Sequence, residues 1–293
     1  MKANQVLFGR AICAKAFPTP GFYRCSLLRL YLSSLLATAK DRKAFQGIDT
    51  YFMFVGYARS GHSLVGSIID AHANAICSHE VDVLQFVEAG FGKSQIFSLI
   101  LNNSRHFAAH NRVWEHGYSY AIPGQWQGRF STLRVIGDKK GGGSTRRLAG
   151  DISLFEKLKR TVKMPTRIVH VVRNPFDNIS TISIRSRIDI REAIQGYFSH
   201  AEANARLQRL VPEHDWINIE HEDLVARPAH VIAELIRRLG LDTTPEFVEA
   251  CAAIVRNEPH KSRSTIDWRP DLLQQVESRK NSLSFLRQYR YER

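Results

Sequence analysis

A run of small and polar residues, Gly56-Tyr57-Ala58-Arg59-Ser60-Gly61-His62-Ser63-Leu64, separates an apolar stretch, Tyr51 to Val55, from a helix-like one, Leu64 to Asp70. Strand, small-residue loop and helix together form an anion cradle. The N–H groups of the loop and of the helix N-terminus converge on one spot, and the helix dipole favours negative charge there. The spacing follows the phosphate-loop pattern G-x-x-x-x-G-K-[ST], with His62 in the place of the lysine. The basic residue comes earlier, at Arg59. A nucleotide held here is therefore not handled as ATP is.

A second element follows the apolar run Arg167 to Val172, which ends in Arg173-Asn174-Pro175-Phe176-Asp177. A helix pattern carrying Ile179, Ile182 and Ile184 comes next. An ATPase places a magnesium-holding Asp at the end of such a strand. A guanidinium there cannot bind a metal, but it grips phosphate through paired hydrogen bonds. Thr181 and Arg185, eight and twelve residues after Arg173 and four apart, would share one face of that helix. Two phosphate sites without a magnesium carboxylate imply a nucleotide phosphorylated at both ends and no metal requirement.

With these elements the chain resembles the sulfotransferases that use 3'-phosphoadenosine-5'-phosphosulfate (PAPS). Their 5'-phosphosulfate loop looks like Tyr57 to Leu64, and their 3'-phosphate element looks like Val171 to Asp177 with a hydroxyl residue at Thr181. The branch containing tyrosylprotein sulfotransferases and bacterial relatives is the most similar. It also has stretches like Ile69 to Ala75 and Ile219 to Pro228, and an acidic residue matching Glu80. The resemblance spans about residues 50 to 240. His62 departs from it, because Thr is usual there.

The resemblance implies roles for individual residues. Arg59 would act on the leaving oxygen. The loop amides of Ser60, Gly61, His62, Ser63 and Leu64, with the Ser63 hydroxyl, would hold the 5'-phosphate. Arg173, Thr181 and Arg185 would hold the 3'-phosphate. Lys139, in Gly137-Asp138-Lys139, would stabilise the transferred sulfonate, with Lys140 as the neighbour easily confused with it. Glu80 would be the catalytic base that takes the acceptor proton. His79, whose imidazole titrates near neutrality, is a rival base, and Asp82 a weaker one. The run Gly141-Gly142-Gly143 reads as a mobile loop able to close over the donor. Basic segments at His260 to Arg263 and Arg279 to Asn281 read as solvated charge, although family members often close such a segment over the 3'-phosphate.

The elements that must position these residues alternate. Strands are expected near 51–57, 75–78, 133–137, 167–172 and 216–219. Helices are expected near 61–71, 81–89, 94–110, 145–160, 176–187, 190–210, 228–239, 245–256 and 270–285. Alternation implies an α/β fold of the P-loop type, three layers with a mostly parallel central sheet flanked by helices. Ligands in such sheets bind at the carboxyl ends of the strands, where both phosphate motifs fall.

At 293 residues and 44% hydrophobic, the chain can bury a large core. Its 41 Lys+Arg against 28 Asp+Glu give a net charge of +13, which favours anionic partners. No nucleic-acid-binding signature stands out. Cys13, Cys25, Cys77 and Cys251 are scattered without metal-ligand spacing, in keeping with a reducing, cytoplasmic setting. Residues 1–45 form a basic extension with no acid before Asp41 and a leucine-rich stretch, Ser26 to Ala39. That stretch is too short for a transmembrane helix. It reads as a helix on the domain or on a second subunit of a homodimer, a peripheral contact of residues 1–40 with an anionic membrane, or a targeting segment. Residues 46–293 form the catalytic domain, with 85–130 as the acceptor-side insertion. There Phe86, Phe91, Phe97 and Phe107 are core or pocket lining, and Trp114, Tyr118 and Trp126 are loop anchors or a stacking surface. The acceptor hydroxyl belongs to a carbohydrate, a lipid, a small metabolite or a tyrosine. Two other readings are a small-molecule kinase on the same scaffold and an inactive relative that binds anions or a membrane.

Overall fold

The computed structural model describes residues 30–35, 38, 41–113 and 118–291. Five strands form one sheet: β1 (Thr50–Gly56), β2 (Ala75–His79), β3 (Val135–Lys139), β4 (Thr166–Val172) and β5 (Trp216–Glu220). Their order is β2-β3-β1-β4-β5, and every pairing is parallel. The α/β expectation holds. β1 lies centrally, so both of its faces must be apolar, and all seven of its residues are buried. Side chains alternate across the sheet. Tyr51, Met53 and Val55 join one core cluster, and Phe52 and Phe54 join the other.

Helices cover both faces. The first cluster lies under α2 (Val83–Glu88), α3 (Lys93–Ala109), α4 (Gly142–Gly150) and α5 (Ser153–Val162). The second lies under α1 (His62–Asp70), α8 (His221–Ala226), α9 (Pro228–Arg238) and α10 (Pro245–Ala252). A third joins α6 (Pro175–Ser186), α7 (Ile190–Gln208) and α11 (Pro270–Asn281) to the C-terminal segment. Phe86, Phe91 and Phe97 are core residues of the first cluster. Phe107 is also buried, so none of the four is an open pocket wall.

The expected helix over 145–160 is two helices. α4 stops at Gly150, and the carboxylate of Asp151 accepts the Ser153 N–H (2.9 Å) to open α5. The glycine run is not a free loop either. Gly142 and Gly143 are the first residues of α4, and Gly141 and Gly143 each make room for a neighbour. A Cβ on Gly141 would lie 2.7 Å from the His62 ring, and one on Gly143 would lie 2.6 Å from the Lys140 stem.

Of the basic extension, residues 30–35 are helical and packed on the domain. Leu30 is in the core, Tyr31 meets Phe91 edge-on at 5.0 Å, and Gln95 donates to the Tyr31 carbonyl (3.2 Å). Residues 1–29, with Cys13 and Cys25, lie outside the described residues, as does Trp114. Among the described residues no helix is long and apolar enough to cross a membrane.

One buried carboxylate joins the segments around α1. Asp70, fully buried, accepts from the N–H groups of Cys77 (2.7 Å) and Gly128 (2.9 Å) and from the Ser104 hydroxyl (2.7 Å). It also pairs with Arg112. Arg112 in turn donates to the Ser67 hydroxyl (3.0 Å) and lies 4.7 Å over the Phe107 ring. Removing one partner of such a pair leaves a buried charge uncompensated. Arg112→Met is therefore expected to lower the unfolding free energy by about 3–5 kcal/mol, measured as a reduced urea midpoint at unchanged slope.

Candidate active site

The loop after β1 turns sharply twice. Arg59 (φ 66°) and Gly61 (φ 103°) are left-handed. Gly61 has a second constraint, since a Cβ there would stand 2.8 Å from the His221 ring. α1 begins at His62, so the His62 and Ser63 N–H groups at its start have no intrahelical acceptor, whereas the Leu64 N–H donates to the Gly61 carbonyl (3.1 Å). The loop is braced from below and from the side. The Gly56 N–H donates to the Thr145 hydroxyl (2.9 Å), Asn178 donates to the Ala58 carbonyl (2.6 Å) and Ser60 to the Tyr57 carbonyl (3.0 Å).

The His62 ring is turned away from the cradle. The imidazole is buried, turned into the fold between Gly56 and Gly141, edge-on to Phe54 at 5.8 Å. Its Nε2 lies 3.1 Å from the Val55 carbonyl, to which a neutral ring donates. Burial and the Lys139 ammonium push its pKa down to about 4. Only the backbone N–H of His62 is left to the cradle. The usual threonine hydroxyl has been replaced by a core ring, not by another anion donor.

The structure brings Arg173 and Thr181 together at the end of β4. Arg173 is buried just after β4 and donates to the Arg59 carbonyl (3.4 Å) and to the Thr181 hydroxyl (3.3 Å). One guanidinium thus ties the two phosphate elements together. Arg185, in the last turn of α6, is exposed. The basic segment at 260–263, expected to be solvated, instead closes over Arg173. The guanidinium donates to the His260 carbonyl, and Ser262 Oγ lies 2.8 Å from the Thr181 hydroxyl and 2.7 Å from His260 Nδ1. Arg263 is buried against Asp177 at 3.1 Å and fixes the segment to α6. Composition marks this segment only as basic, and the contacts of Ser262 and His260 depend on the fold. The other basic segment is structural: Arg279 pairs with Glu202 (2.7 Å), and Lys280 is buried against Glu277 (2.8 Å).

Lys139 and Glu80 meet on the opposite side of the loop. Lys139, buried at the end of β3, donates to the Ser63 hydroxyl (3.2 Å) and to Glu80 Oε1 (2.7 Å). Lys140 reaches the other oxygen, Oε2, at 2.9 Å. Burial opposes ionisation of Glu80, but the two ammonium groups win and hold its pKa down at about 2. The turn that carries Glu80 is strained, with Glu80 and Asp82 both at φ 65°. Asp138 holds it by accepting from the Ser78 hydroxyl (2.8 Å) and the N–H groups of Val81 (3.1 Å), Asp82 (2.8 Å) and Val83 (3.1 Å).

The rival bases are otherwise engaged. His79 is buried and stacked on Phe107 at 4.1 Å, and burial with the adjacent cations drives its pKa far down. Asp82 is held by Arg147 at 2.8 and 2.9 Å. Tyr118 and Trp126 are partly exposed, with Arg256 5.8 Å over the first and Arg129 5.7 Å over the second.

His62 gives a stability signature. Its folded pKa lies below the ordinary 6.5, so the unfolded chain takes up the proton first. Its contribution is complete above 6.5 and is lost as pH falls toward about 4. His62→Gln is expected to flatten the acid limb of stability against pH by about 1.4 kcal/mol per pH unit in that window, read from urea unfolding at several pH values.

The sequence model described as the sulfotransferase family matches residues 52–245, which contain both phosphate elements, Glu80 and Lys139. No protein of curated function matches the chain. Among solved structures, the sulfotransferase domain of the curacin biosynthetic pathway is 14% identical, with 84% of this chain and 99% of that domain covered and a TM-score of 0.51. A sulfotransferase of Mycobacterium tuberculosis, STF1, is 12% identical over 96% and 92% of the two chains (TM-score 0.47). Mouse SULT7A1, solved with PAP, is 11% identical over 80% and 84% (TM-score 0.42). The first of these carries the same fold, and the family model spans well over half of the chain. The chain belongs to the sulfotransferase family.

Proposed function

We propose that this sulfotransferase takes its sulfonate from PAPS and passes it to an acceptor hydroxyl by in-line displacement, with Glu80 as base. One observation carries the reading. A single ammonium, that of Lys139, touches both the phosphate loop at Ser63 (3.2 Å) and the Glu80 carboxylate (2.7 Å). The group that would steady a transferred sulfonate thus stands between the donor cradle and a base.

In this reading the amides of Ser60 to Leu64 and the Ser63 hydroxyl hold the 5'-phosphate. Arg173 and Thr181, with Ser262, hold the 3'-phosphate. That arrangement selects a nucleotide phosphorylated at both ends. Arg185, exposed one helical turn beyond Thr181, is free to add its charge to that phosphate. Catalysis is positioning plus charge stabilisation. The acceptor oxygen forms a bond to sulfur while the bond from sulfur to the bridging phosphate oxygen breaks. Arg59 takes up the charge growing on that oxygen, and 3'-phosphoadenosine-5'-phosphate leaves. The acceptor proton goes to Glu80.

A carboxylate pinned by two ammonium groups is a weak base. It strengthens when the sulfonate oxygens draw Lys139 toward themselves and loosen its hold. The chain thereby couples donor binding to activation of the base. The acceptor class stays at the level of a hydroxyl compound.

Glu80→Gln is expected to lower turnover at least about 100-fold while binding of 3'-phosphoadenosine-5'-phosphate stays close to that of the wild type. Normal turnover in that variant would remove Glu80 from the role. The bisphosphate at a hundred times its Kd is expected to stabilise the wild type by about 2.7 kcal/mol, seen as a rise in Tm, and Arg173→Ala to abolish the effect. Stabilisation by ATP with magnesium alone would point to a kinase instead.

A further inference from the structure

Glu80 meets two lysines, and the mechanism uses only one. Lys140 Nζ lies 2.9 Å from Glu80 Oε2, on the carboxylate oxygen that Lys139 does not touch. Its stem is seated in a slot made for it. A Cβ on Gly143 would lie 2.6 Å from Lys140 Cε, 2.7 Å from Cγ and 3.1 Å from Cδ, so the first turn of α4 has room for that stem only because position 143 is glycine. The Lys140 side chain is 14% exposed. Lys139 reaches the phosphate loop as well as Glu80, whereas Lys140 points to Glu80 from the far side.

We propose that Lys140 is a positioning residue that keeps Glu80 ionised and fixed in direction while Lys139 serves the transferred sulfonate. The inference rests on the reading of Glu80 as base. Without Lys140, a carboxylate losing Lys139 to the sulfonate would sit half-buried beside Asp138 with no cation opposite it. It would then take up solvent protons or turn away from the acceptor. With Lys140, one ammonium remains, enough to preserve the anion and too little to quench its basicity. The charged and titratable groups around Glu80 are Lys139, Lys140 and Asp138 at the end of β3, and His62 at the start of α1. His79 on β2 stands against Lys139, and the Lys140 ammonium is further favoured by Asp138 and Asp82.

The test measures the Glu80 carboxylate directly, by carbon-13 NMR titration of protein with labelled glutamate side chains, assigned with Glu80→Gln. Lys139→Met stands in for Lys139 drawn onto the sulfonate. In that variant Glu80 is expected to titrate still below the ordinary 4.5. In Lys139→Met/Lys140→Met it is expected to titrate about 1–3 pH units higher than in Lys139→Met alone. Lys140→Arg on the Lys139→Met background should restore the low value. The same titration point in the single and double variants would overturn the proposal. Should the double variant fail to fold, Lys140→Met alone gives the answer. It keeps the stem over Gly143 and is expected to raise the Glu80 titration point above that of the wild type, and no change overturns the proposal. Full turnover in Glu80→Gln would dismiss the base while leaving this titration result intact, so the two readings fail separately.

Discussion

Buried positive charge is the constraint around which this molecule is arranged. A site for a multiply charged anion needs cations inside the fold, and an unpaired ion there costs several kcal/mol. The chain meets each one with protein oxygen. Lys139 has Glu80 and Ser63, and Arg173 has the carbonyls of Arg59 and His260. Arg112 has Asp70 and Ser67. The partners come from different elements in each case. Satisfying the cations therefore also ties β2 to β3, the phosphate loop to the end of β4, and α1 to the segments around Arg112 and Gly128.

The oxygens differ in how readily they yield. Arg173 is held by neutral carbonyl and hydroxyl groups, which a phosphate can replace or join at small cost. Lys139 is held by a full carboxylate, so a sulfonate must compete with Glu80 for it. In the proposed mechanism that competition would make the base depend on the donor. Arg112 is held by a fully buried carboxylate with four donors, and nothing in the site competes for it. One chemistry, cation to oxygen, thus serves as a replaceable seat, a transferable contact and a fixed joint.

Much of this was legible in the sequence because local pattern carried it. Gly56 to Leu64 after an apolar run, and Arg173 to Asp177 after another, announce strand ends with anion donors. Thr181 follows from helical spacing alone. The rest depends on contacts that spacing cannot show. Ser262 lies 81 residues from Thr181, which it touches. Arg185 satisfies the same helical spacing as Thr181, but it is exposed and makes none of the contacts that join Thr181 to Arg173 and Ser262. The triple glycine suggests mobility by composition, yet Gly141 and Gly143 are explained by what lies against them, His62 and the Lys140 stem. Composition reports that a Cβ is absent, whereas only the fold shows what occupies its place. The role of Asp138 was hidden for a related reason, since an acidic residue before a lysine reads as part of a motif until four donors converge on it.

The His62 ring occupies space that two other positions have given up. A Cβ on Gly56 would stand 2.6 Å from His62 Nε2, and one on Gly141 would stand 2.7 Å from Nδ1. The three positions therefore form one alphabet rather than three. With histidine at 62, only glycine fits at 56 and 141. With a small hydroxyl residue at 62, the clash with the ring is lifted at both, leaving their positive φ angles and, at 56, the Val171 carbonyl 3.2 Å from a Cβ. Histidine could be placed at 62 of a relative only where positions 56 and 141 are already glycine. Elsewhere it would clash beneath the phosphate loop, and threonine at 62 of this chain would leave a hole there.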